Sequence, residues 1–316
     1  MIGLLIASGV GQYAAVMALF GSSLFALYAG VGSRVSGNST TDRRMQHWLA
    51  RILCSAALLA VIFAFGALLA VASRMSGSTV GTLGRDTLLS VVLGTRFGKV
   101  WRAEIALSLL LAAVLPLALA STRRRACYVG TLLASGALLV GLASVGHATM
   151  DSGVSGVLHL ANHALHVMAA AAWLGGLLPL ALVLTATHRN RSDPWSSTTR
   201  QCLANFSQMG VAAVAVLMLT GLGNAAFLIP DAGFLLTTDY GRVLLLKLGL
   251  FVLMLVFAAR NRFALMPRLA SPGAVPMGIA EPTLSVLRQS VLCEQVLGVL
   301  VLVAANILGA LPPPPG

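Results

Sequence analysis

The chain alternates long apolar runs with short polar breaks. Eight runs approach or exceed the roughly 20 residues that a membrane-crossing helix needs: about 3–29, 48–72, 101–120, 126–145, 157–186, 203–228, 242–260 and 289–311. None alternates with the two-residue period of a barrel strand, and backbone facing lipid must satisfy its own hydrogen bonds. The pattern predicts an all-α polytopic membrane protein with eight transmembrane helices, a single membrane domain over 1–316. No basic segment precedes the first run, so it reads as a retained helix and not as a signal peptide.

Composition agrees with this reading. The chain is 58% hydrophobic and 9% charged, where soluble domains carry about 25% charged residues. Arginines gather in the breaks after odd-numbered runs: Arg34, Arg43, Arg44; Arg123, Arg124, Arg125; Arg189, Arg191, Arg200; and Arg260, Arg262, Arg268, Arg288. The positive-inside rule then puts these breaks in the cytoplasm and both termini in the periplasm. The formal charge of +12 is thereby topological, and nucleic-acid binding is not implied. One outer loop departs from the rule. Residues 73–100 carry Arg74, Arg85, Arg96 and Lys99, and the stretch 83–93 predicts a short helix lying in the lipid interface.

Two junctions read alike: Thr-Arg-Phe-Gly-Lys-Val at 95–100 and Thr-Asp-Tyr-Gly-Arg-Val at 238–243. A fainter echo pairs 22–27 with 175–180. The third run then matches the seventh and the first matches the fifth, giving parallel repeat halves 1–145 and 157–311, a known transporter plan. Glu104 aligns with Lys247 at equal depth, and the expectation is a structural ion pair between the halves. A proton-coupled pair that separates during transport is the alternative.

The fifth run carries His159, His163 and His166. This i, i+4, i+7 spacing puts three imidazoles on one helix face. His147, Met150 and Asp151 lie just upstream. Ionisable groups at span depth mark functional sites; imidazole on one helix face suits copper, zinc, haem iron or a proton relay, and imidazole with thioether accepts copper in either oxidation state. These six residues form the expected metal set. The competing reading is that single histidines only bridge helices. His47 and His188, beside arginines, read as solvated loop residues. Met209 and Met218 read as packing residues, and Asn224 as a helix bridge. Cys54, Cys127, Cys202 and Cys293 form no CxxC pair and lie at the cytoplasmic starts of even runs. They read as small apolar fillers, with a soft Cu(I) exit as the alternative. No phosphate loop, GxSxG or HExxH is present, so no enzyme is expected. Two other functions stay open: a haem-bearing electron-transfer protein with histidine axial ligands, and a membrane partner that binds copper without moving it.

An ordered series of motifs resembles the copper-resistance protein D family of bacterial inner membranes. It runs Gly146-His147-Ala148; His166 and Trp173-Leu174-Gly175-Gly176-Leu177; Asn205-Phe206-Ser207; Thr220-Gly221 and Asn224. It continues through Thr238, Tyr240-Gly241-Arg242, Lys247, Asn261-Arg262 and Pro267 to Arg288, Ser290-Val291, Glu294 and Gly309. The resemblance covers about 140–311. It implies an eight-span inner-membrane protein that moves copper from periplasm to cytoplasm. It also implies a small periplasmic copper-binding partner of the copper-resistance protein C type. His147 and His166 stand at family-like positions, whereas His159 and His163 rest on spacing alone. Neither terminus has room for a fused copper-binding domain, so the partner is expected to be a separate protein.

Overall fold

A computed structural model describes residues 2–31, 40–121, 123–145, 153–190, 193–228, 233–270 and 281–311. The described residues are helical with short turns, and none forms a strand. In chain order the helices are α1 (Ile2–Tyr28), α2 (Thr40–Ser76), α3 (Arg85–Gly94), α4 (Arg96–Ala120), α5 (Arg124–Ala143) and α6 (Gly153–Arg189). They continue with α7 (Asp193–Leu228), α8 (Phe234–Thr237), α9 (Asp239–Arg260), α10 (Met266–Ala270) and α11 (Glu281–Ala310). A π-helical turn, Asn261–Leu265, joins α9 to α10. Eight helices are long and apolar enough to cross a membrane: α1, α2, α4, α5, α6, α7, α9 with its π turn, and α11.

Every predicted run is one of these helices, but several are longer than their apolar cores. The helix holding the second run starts at Thr40 and the one holding the sixth at Asp193. An apolar run measures the lipid thickness a helix crosses. The backbone goes on making i to i−4 bonds through polar residues beyond it. The helix expected at 83–93 is present as α3. It packs against α4 and α2, and its Val91 joins a small core with Ala64, Leu68, Ala72, Trp101 and Ile105.

α1 and α6 form the centre. α1 packs on α2, α5, α6 and α11, and α6 packs on α1, α5, α7 and α11. Of the spans, α6 is the most enclosed and α9 the least. Small residues let the two central backbones touch, which drives helix association in lipid. A Cβ on Gly175 would lie 1.9 Å from the Met17 carbonyl oxygen, and one on Gly21 would lie 2.4 Å from that of Ala171. At the same crossing the Ser22 hydroxyl donates to the Gly175 carbonyl at 3.4 Å.

The two similar junctions have the same local geometry. Thr95 caps α4 with φ −110° and ψ 158°, its hydroxyl accepting from Gly98 N–H. Thr238 caps α9 with φ −110° and ψ 155°, accepting from Gly241 N–H. The side-chain oxygen satisfies a backbone donor that the first turn leaves open.

The α1–α6 crossing yields a stability test. Gly175→Ala meets backbone that cannot rotate away, and overpacking of this kind costs about 1–3 kcal/mol. Gly130→Ala in α5 meets nothing within 4 Å and should stay within about 0.5 kcal/mol of the parent. Unfolding temperatures in detergent should drop for the first variant and hold for the second.

Candidate functional site

The site is built on the N-terminal half of α6. His159, His163 and His166 share one face and descend about 10 Å at 1.5 Å per residue. His159 is buried at 3% exposure, while His163 and His166 are half-buried. His163 interacts electrostatically with His159 and His166, and both His163 and His166 with Lys247 of α9. Lys247 therefore lies within electrostatic range of the two deeper imidazoles.

α7 sets the orientation of the deepest ring. Thr220 donates its hydroxyl proton to the Val216 carbonyl at 2.6 Å. Its oxygen then accepts from His166, whose Nδ1 lies 2.9 Å away. The Leu217 carbonyl also takes a hydrogen bond from His166. Nδ1 thus carries the ring proton, and the Nε2 lone pair is left for a ligand. A partner that fixes the tautomer in this way is the usual support for a metal-binding histidine. One turn up, the Asn162 amide donates at 2.9 Å to both the Thr220 carbonyl and Asn224 Oδ1, so Asn224 is the helix bridge expected of it. Gly223 leaves room for this contact, since a Cβ there would come within 2.8 Å of Asn162 Oδ1.

Two turns below His166 the same face presents Trp173, which is buried and stacks edge-on with Phe251. It hydrogen-bonds to the Glu294 carboxylate of α11. Asn261, at the start of the π turn, donates to Glu294 Oε1 at 2.5 Å. Next in the chain, Arg262 donates to the carbonyl of Ser207 at 3.1 Å and also to its hydroxyl. A ladder of polar side chains therefore follows α6 from its N-terminal third toward the arginine-rich side.

The residues expected as a metal set are placed unevenly. His159, His163 and His166 share their face. His147, Met150 and Asp151 lie outside the described residues. Among the described residues, no three His, Cys, Asp or Glu side chains converge as a ready-made metal centre. The histidines form a series of positions and not a chelate.

The expected ion pair is corrected. Glu104 accepts from Gln12 Nε2 at 3.1 Å and lies against Gly141, in the α1–α4–α5 group. Lys247 faces α6, and no carboxylate among the described residues pairs with it. Equal depth in an alignment does not imply adjacency: α4 packs on α2 and α5, whereas α9 packs on α11. His47 and His188 are also not in loops: they belong to α2 and α6. All four cysteines are free thiols, but only Cys202 is buried as a filler should be. Asn162 and Thr220 were not singled out from sequence as partners of the histidines. The available signal was the i, i+4 spacing of Thr220 and Asn224 on α7.

A bundle of eight apolar helices, with imidazoles, a lysine and a buried glutamate lined along its central helix, defines a membrane protein built to handle a cation within the bilayer. The chain belongs to the copper resistance protein D family. Residues 1–157 match "Copper resistance protein D-like, N-terminal domain" and residues 200–308 match "Copper resistance protein D". The inner membrane protein YebZ of Escherichia coli is 36% identical over 203 residues, 64% of this chain and 67% of that one. Copper resistance protein D of Pseudomonas syringae pv. tomato is 29% identical over 95% of this chain and 94% of its own length. The copper transport protein CutJ of Bacillus subtilis is 30% identical over 73% of this chain and 39% of its own. No solved structure gives a significant match.

The separate placement of Glu104 and Lys247 predicts that charge exchange will not rescue. Glu104→Lys leaves a new cation among Gln12, Tyr13 and Gly141, and Lys247→Glu does nothing to offset it. The double variant should express in folded form no better than Glu104→Lys alone, read by monodisperse elution. Recovery in the double variant would restore the ion pair.

Proposed function

We propose that this protein is a copper permease of the inner membrane, not an enzyme, that passes copper from the periplasm toward the cytoplasm along the α6 face. One observation carries the reading. In a chain of the copper resistance protein D family, His166 is held by Thr220 with Nε2 open, on the same face as His159 and His163. The names of its relatives, copper resistance protein D and copper transport protein CutJ, point the same way.

The arginine-poor side is the outer one in this reading, with both termini periplasmic. Copper arrives at His147, Met150, Asp151 and His159, delivered by a separate periplasmic protein of the copper-resistance protein C type. It then moves to His163 and His166. Positions spaced down one helix permit handover between weak sites, which conduction requires. When protonated, Lys247 weakens each bound state by like-charge repulsion and so shortens residence. The path continues past Trp173, Glu294 and Asn261. A potential negative inside favours cation influx by about 2.3 kcal/mol per charge per 100 mV.

Copper uptake into vesicles tests this. His166→Ala should abolish uptake. Thr220→Val keeps the imidazole but removes its hydroxyl acceptor, and should lower copper affinity about 10–100-fold. His188→Ala, about 33 Å further along α6, should behave as the parent. Equal uptake by the His166 and His188 variants would remove the α6 face as the path.

A further inference from the structure

A second buried polar group lies in the first half of the chain, away from the histidine face. Glu104 of α4 is 6% exposed. Its Oε2 accepts from Gln12. Its Oε1 has no hydrogen-bond partner and sits against Gly141, where a Cβ would come within 2.8 Å. Tyr13, next to Gln12, is the titratable side chain that interacts with it.

No cation among the described residues faces this carboxyl group: Arg96, Lys99 and Arg102 of α4 itself are exposed, and none acts on Glu104. α1 brings Gln12 and Tyr13, and α5 brings Gly141. α5 holds its charges, Arg124 and Arg125, at the opposite end of the helix. α2 meets α4 through the Ala64 carbonyl, which accepts from Trp101 Nε1, and keeps its charges toward its ends, from Asp42 to Arg51 and at Arg74. α3 carries Arg85 and Asp86 at its start and meets α4 through the Val91 and Val92 carbonyls at its other end. An uncompensated carboxylate at span depth is strongly disfavoured. The protonated acid is neutral and still accepts from Gln12.

The position also has a counterpart. The two capped junctions align Glu104 with Lys247, and the alignment of 22–27 with 175–180 sets Tyr13 opposite His166. In each half a charged-type residue of the third span lies within electrostatic range of an aromatic ring of the first span: Glu104 of Tyr13, Lys247 of His166. Ser22 and Gly175, equivalent in the same alignment, touch each other at the crossing of α1 and α6, where an axis relating the halves would pass.

We propose that Glu104, Gln12 and Tyr13 form a proton-binding site, the first half's counterpart of the histidine face, and that copper binding on that face releases the Glu104 proton. The second clause rests on the copper reading above. Adding a cation to one half of a low-dielectric bundle while a proton leaves the other keeps the enclosed charge constant. The O–H bond of Glu104 breaks, its proton goes to water, a copper–imidazole bond forms, and no electron is transferred. By reciprocity, loss of that proton tightens copper binding.

Infrared spectroscopy of the full chain in nanodiscs tests the site without any need for transport. At neutral pH the copper-free parent should show the carbonyl stretch of a protonated carboxylic acid for Glu104 in the difference spectrum against Glu104→Gln, in which any band of the buried Glu294 cancels. Copper(I), added as its acetonitrile complex, should weaken the band. In weakly buffered solution with a pH dye, Glu104→Gln should release one proton fewer per copper bound than the parent. Identical acid bands in parent and variant would overturn the proton site. A band unchanged by bound copper, with equal proton release, would overturn the link. A parent that binds no copper would overturn the link together with the copper reading, while the acid band would still decide the site. Should Glu104→Gln fail to fold, Gln12→Leu serves instead and should shift the band without removing it; an unshifted band would place the acid elsewhere.

Discussion

The arrangement depends on one contact, the backbone-to-backbone crossing of α1 and α6 at Gly21, Ser22 and Gly175. Lipid tails are as apolar as leucine, so helices in a bilayer gain little by hiding side chains from their solvent. They gain by approaching closely. With Met17 and Ala171 carbonyls where Cβ atoms would otherwise stand, α1 and α6 become the two central posts; α2, α5, α7 and α11 pack on one or both, while α4 packs on α2 and α5, and α9 on α11. α6 is then surrounded by α1, α5, α7 and α11, and a face that carries imidazoles meets protein in place of hydrocarbon.

That enclosure explains how polar groups are held at depth. Each draws its partner from a different helix. Asn162 and His166 take theirs from α7, and Trp173 takes its from α11, where Glu294 is also held by Asn261. A neutral hydroxyl, Thr220, does the finest task in the group. Its own proton is committed to the backbone, so it can only accept, and the ring beside it is fixed in one tautomer.

The eight spans and their order were legible because the period and length of apolar runs are set by the bilayer. Helix ends were less so. Thr40 and Asp193 start helices whose first turns stand outside any apolar window. The shared face of His159, His163 and His166 follows from spacing alone. Their supports do not, since Thr220 and Asn162 are small neutral groups whose roles depend on which helix lies alongside. The alignment that joined Glu104 to Lys247 has a local counterpart in the matching caps of Thr95 and Thr238. It carried no information on which neighbours each residue would meet, and there the expected pair failed.

The lengths of α2, α6 and α7 have their own outcome. At 37, 37 and 36 residues they reach about 55 Å at 1.5 Å per residue, well beyond a hydrocarbon core of about 30 Å. On the arginine-rich side they are tied together by the stacked rings of Trp48 and Trp195 and by the Thr187 and Thr199 hydroxyls. The ends of α2, α6 and α7 are therefore held as one stiff cluster, so that loosening any of these four side chains would be felt by all three helices.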